Sequence, residues 1–92
     1  MSVLQRVRRA AQTRKYRITA HANEEMDYDG LTREDVVQIL ATGEVSRKFT
    51  DDPRGPRYEI AGRAADGRAA CIVVRLLPGS IVRVVTAYAE TE

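Results

Sequence analysis

The stretch "RYEIAGRAADGRAACIVVRLLPGSIVRVVTAYA", residues 57–89, decides the fold. Within it Arg57 to Arg63 alternates in character, Ala64-Ala65-Asp66-Gly67 breaks the run, and Ala69 to Leu77 is almost continuously apolar. Pro78-Gly79 then breaks the chain again before Ile81 to Ala89. Alternation interrupted by short turn-forming segments is the pattern of hairpin-linked strands, and the long apolar run suits a central strand. Upstream, Glu44 to Thr50 supplies a fourth strand. Two prolines and a glycine in Asp51-Asp52-Pro53-Arg54-Gly55-Pro56 keep the connection between them irregular.

Working outward to the N-terminus, the pattern becomes helical. Val3, Leu4, Val7, Ala10 and Ala11 recur at helix spacing with Arg6, Arg8 and Arg9 between them, which predicts an amphipathic helix over 3–14 with a cationic polar side. Tyr16 to Thr19 reads as a short strand or an extended link. Thr19 then caps a helix from about Ala20 to Tyr28 that ends near Gly30. Thr32-Arg33-Glu34-Asp35 has capping-box spacing, and Val36, Val37, Ile39 and Leu40 form the apolar side of a third helix, stopped by Gly43. Helices followed by an antiparallel meander predict an α+β fold, with the helices packed on one face of a mainly antiparallel four-stranded sheet.

At 92 residues the chain forms a single domain, 1–92, with an arginine-rich helix over 1–15 and an α+β core over 16–90. One small core leaves room for a surface cleft rather than a deep cofactor pocket. A lone Cys71 excludes a disulfide framework and a cysteine-rich zinc site, and points to the cytosol. No apolar run approaches the ~20 residues that span a bilayer. Cofactor, metal and membrane are therefore not expected.

Charge is unevenly placed. Residues 1–20 hold six basic side chains and no acid, whereas 21–35 hold six acids against Arg33. All but two of the fifteen basic residues are arginine, whose planar fork of donors suits phosphate and carboxylate. Strand parity places Tyr58, Ile60, Ile72, Val74, Leu76, Val82 and Val84 on one face, a core beneath the helices. It leaves Arg57, Glu59, Arg63, Arg75 and Arg83 among apolar residues on the other. That face suits a polyanion; equally, arginine stems can simply cover sheet surface with their heads in water.

His21 is the only histidine. At the second position of its helix, with Glu24 and Glu25 one turn on, it is the natural candidate for a general acid or base, or a structural hydrogen-bonder at a helix start. No second histidine completes a metal site, and Cys71 lies in the most apolar strand. What chemistry remains belongs to histidine, arginine and tyrosine.

Five segments then fall into a familiar order: "ITAHANEEM" (18–26), "GLTREDVVQILATGEV" (30–45), "GPRYEIAG" (55–62), "ACIVV" (70–74) and "VRVVTAY" (82–88). Together they resemble the domain of unknown function 4258 family, whose members resemble the small RelE-like and MqsR-like ribonuclease toxins. The resemblance implies a RelE-like fold, with helices on a curved sheet, and metal-independent endoribonuclease activity in a toxin–antitoxin pair. The implied partners are single-stranded messenger RNA and a cognate antitoxin. It also implies roles: His21 as acid or base, Arg57 on the scissile phosphate, and Tyr58 or Tyr88 stacking a base or donating a hydrogen bond. Gly62 is a further motif position. Charge and parity add Lys48, Arg63, Arg75 and Arg83 as residues along the RNA path. The closing "AYAETE" departs from the basic, aromatic ending common in those toxins. The alternative is a non-catalytic module that docks nucleic acid or an acidic protein on its basic sheet face.

Overall fold

The computed structural model describes residues 1–90. The elements run α1 (Val3–Thr13), β1 (Tyr16–Ile18), α2 (Ala20–Asp29), α3 (Arg33–Thr42), β2 (Glu44–Phe49), β3 (Arg57–Arg63), β4 (Ala69–Leu77) and β5 (Ile81–Ala89). Each helix starts where a hydroxyl can accept from its first orphan N–H groups. Ser2 and Gln5 form a capping box on α1, Thr32 and Asp35 another on α3, and Thr19 accepts from the Ala22 N–H on α2.

The sheet has five strands in the order β1-β5-β4-β3-β2, which corrects the expected four. Segments β2 to β5 are antiparallel, as the hairpin pattern required. The fifth strand is the three-residue β1, which pairs parallel with β5, so the sheet is mixed. Three residues are too few for alternation to announce a strand; their pairing comes from tertiary contact. Where β1 ends, the helix α2 takes over the exposed edge of β5. Glu25 and Asp29 accept from the backbone N–H groups of Ala87 and Ala89, at 3.3 and 2.9 Å, in place of a neighbouring strand.

All three helices lie on one face. Val7, Ile39, Leu40, Ile60, Ile72, Val74, Val82 and Val84 are fully buried together, each worth about 2 kcal/mol over exposure. The N-terminal helix belongs to this core through Val7 and Ala10. Its polar side also has structural duties: the Arg8 guanidinium donates to the carbonyls of Leu40 and Gly43, closing the C-terminal end of α3, and Arg6 donates to the Leu77 carbonyl. Asp35, the one buried charged residue among those described, accepts from Thr32 and from Ala65 in the β3–β4 turn. Those backbone donors hold its carboxyl below the usual range despite burial.

Gly62, the motif position, and Gly43, the helix stop, are explained by packing. A Cβ on Gly62 would sit 3.3 Å from the Gly43 Cα and 3.4 Å from Ile39, and one on Gly43 would meet carbonyl oxygens inside 3 Å. The glycines let β3 and the α3–β2 junction approach closely, so Gly62 serves the backbone.

Candidate functional site

The sheet face turned away from the helices carries most of the chemistry. Register lines up Arg17, Arg83 and Arg75 directly across β1, β5 and β4, and Arg57 continues the row on β3. Four guanidinium-bearing residues therefore cross the sheet at one level, spaced by roughly 4.8 Å per strand. Phe49 faces Arg57 from β2, and the guanidinium carbons of Arg57 and Arg47 lie 5.1 and 5.6 Å from its ring centre.

The row divides into two halves. The β2–β3 connection folds over it and delivers Asp52, whose carboxylate is only 11% exposed and pairs with Arg75 as well as with Arg57 at 3.7 Å. Arg75 also donates to the Gly55 carbonyl, and Arg54 folds back on Asp52. The Arg54 N–H and the Arg75 guanidinium depress the Asp52 carboxyl to about 2, so it stays anionic throughout the neutral range. In contrast, Arg83 and Arg17 are exposed and make no ion pair or side-chain hydrogen bond among the described residues.

Farther along the same face lies a polar cluster. Tyr88 donates to Glu59 at 2.7 Å, Ser46 donates to the other Glu59 oxygen at 2.9 Å, and Cys71 donates to Glu90 at 3.2 Å. Burial, reinforced by the carboxylate beside it, raises the Tyr88 phenol well above its ordinary value; burial and Glu90 push the Cys71 thiol up to about 11. Both groups stay protonated at neutral pH. Tyr88 reaches this face because of a bulge: Val73 pairs with Thr86 but Val74 with Val84, so Val85 has no partner and the parity of β5 reverses beyond it.

The remaining sequence-selected residues lie elsewhere. Tyr58 sits on the helix-bearing face, half-buried against the core, with the Lys48 ammonium 5.8 Å from its ring centre. Arg63 is at the far end of β3 and donates to the Gly67 carbonyl of the adjoining turn. His21 stands on α2, outside the edge of β5, with 69% of its side chain exposed and Nε2 3.3 Å from the Glu25 oxygen that also binds Ala87. Arg57 is two strands farther in, roughly 10 Å, and its row lies about another 10 Å along the strands from Ala87. The fold does not bring His21 and Arg57 together; it brings Arg57, Arg75 and Asp52 together, and Tyr88 with Glu59. Among the described residues no three His, Cys, Asp or Glu side chains are grouped to hold a metal ion.

Sequence reasoning missed Arg17 and Asp52 as members of this surface, and placed Glu59 on it by parity without giving it a role. Arg17 belonged to a strand too short to recognise. Asp52 carried a usable signal, being an acid in a turn-rich loop set between arginine-bearing strands.

Residues 18–89 match the family model described as a domain of unknown function, DUF4258. The chain belongs to the DUF4258 family. No curated protein and no solved structure matches it. The DUF4258 segment contains Asp52, Arg57, Arg75, Arg83 and Tyr88, whereas α1 and Arg17 precede it. No described helix is long and apolar enough to cross a membrane.

Proposed function

We propose that this DUF4258 protein binds single-stranded RNA on its open sheet face. The reading rests on one observation: Arg83 and Arg17 are adjacent, exposed and without internal partners among the described residues, next to a row whose other half is already paired with Asp52. Unpaired guanidinium groups at strand spacing suit successive phosphates of a single strand. Binding of a fluorescent single-stranded RNA is expected to weaken with salt, with the slope falling by roughly 1.4 in Arg17→Gln/Arg83→Gln. Absence of salt-sensitive binding by the parent protein would remove this function.

A second reading, metal-independent RNA cleavage of the RelE-like toxin kind, is favoured by the Tyr88–Glu59 pair on the same face. Tyr88, kept protonated, would serve as proton donor to the leaving oxygen and Glu59 as acceptor from the ribose hydroxyl, beside guanidinium groups that stabilise the phosphorane. His21 is not needed in this arrangement. Such a toxin would require an antitoxin partner to mask the face. The reading predicts RNA cleavage and growth arrest that His21→Ala preserves and that Tyr88→Phe and Glu59→Gln abolish; an intact RNA after incubation with the parent protein would eliminate it.

A further inference from the structure

The cations of the chain differ in what they already hold. Arg6, Arg8, Arg63, Arg68 and Arg75 donate to backbone carbonyls, Arg54 and Arg57 lie on Asp52, and Arg33, Arg47 and Lys48 lie over aromatic rings. Arg14 and Lys15 hold nothing comparable among the described residues, and with Arg17 they line a cleft of about 390 Å³ beside Gly79 and Ile81. Among the described residues no acidic side chain lines it. Three cations are crowded at one corner with no counter-charge among the described residues, next to Arg83 on the neighbouring strand.

The backbone supplies an independent observation. Only two non-glycine residues have positive φ among those described, Arg14 at 59° and Ser80 at 62°. Arg14 closes α1 in the left-handed conformation that glycine normally fills, and Ser80 lies between the two residues that form the opposite wall. A side chain held in that region costs about 1 kcal/mol or more, and such strain concentrates at ligand clamps. Glycine would serve the helix end better. Arginine there places a cation at the mouth of the cleft.

We infer that the Arg14–Lys15–Arg17 cleft is a phosphate subsite that receives the RNA backbone as the strand leaves the open sheet face over β1. The inference rests on the RNA-binding reading and adds a path to it: the strand runs from Arg83 past Arg17 into the cleft, away from the half of the row that Asp52 occupies. It also assigns a role to the segment N-terminal to the DUF4258 match. The cleft volume accommodates a phosphate with its ribose, and the mixture of arginine and lysine neutralises charge without reading a base.

The test compares the full chain with Arg14→Gly/Lys15→Gln and, separately, Arg83→Gln, using an eight-nucleotide single-stranded RNA at several salt concentrations. Arg14→Gly places the preferred residue at a helix end, so the double variant is expected to unfold at the parent temperature or above it. Its salt slope is expected to fall by roughly 0.7, for the one phosphate the cleft holds, and that of Arg83→Gln by a similar amount. If Arg83→Gln lowers the slope and the cleft variant does not, the subsite is overturned while the binding face stands. If neither changes it, both are overturned. A cleft variant that loses affinity in proportion to lost thermal stability also overturns the subsite.

Discussion

The two halves of the arginine row share a strand level, a sheet face and a residue type, yet they are in opposite states. Arg57 and Arg75 are covered by a loop and paired with Asp52; Arg83 and Arg17 face water without partners among the described residues. Arginine on a sheet is therefore not by itself evidence of a ligand. The first half is held by an anion the chain provides, and the second is left for an anion from outside. The same division separates Arg8, spent on the end of α3, from its exposed neighbour Arg9.

Stability measurements can break this comparison most directly. Arg75→Gln should be the most destabilising single arginine substitution, because it strips Asp52 of its closest partner and frees the Gly55 carbonyl; Arg83→Gln should stay within about 0.5 kcal/mol of the parent. Equal urea midpoints for the two would show that the halves do not differ. Next in size, Arg8→Ala should cost about 2 kcal/mol through two lost charge-assisted hydrogen bonds, against about 0.5 kcal/mol or less for Arg9→Ala, again by urea denaturation.

Acid titration sharpens the contrast further. The Asp52 carboxyl is depressed from 3.8 to about 2, so its contribution is complete above the unfolded value and disappears as pH falls from about 4 through about 2. Asp52→Asn should flatten this part of the stability profile and leave the neutral-to-alkaline side unchanged in shape. A profile as steep as the parent's below pH 4 would place the acid sensitivity elsewhere. The smallest effect belongs to His21→Ala: an exposed side chain outside the sheet edge, whose loss should alter RNA affinity and stability little. A large loss of affinity would return His21 to the site.

Much of the fold was legible because local signals agreed. Thr19, Thr32 and Gly43 mark helix ends, and the breaks at Ala64–Gly67 and Pro78-Gly79 separate strands whose parity put Ile60, Ile72, Val74, Val82 and Val84 in the core. Two features escaped because no local rule produces them. The β1–β5 pairing joins three residues to a strand over sixty positions away, and the unpaired Val85 turns Tyr88 from the core side to the open face. The site was less legible for the same reason. Charge and parity located Arg75 and Arg83 on one face, but whether a guanidinium is free depends on where the loop carrying Asp52 falls. Lys48 and Tyr58 follow their own parity to the other face.

The most direct measurement is an NMR titration of the protein with single-stranded RNA, following the Nε–H resonance of each arginine. The account predicts that Arg83 and Arg17 shift first and most, while Arg57 and Arg75 stay near their free positions. Movement of Arg57 and Arg75 with Arg83 and Arg17 unmoved would contradict it.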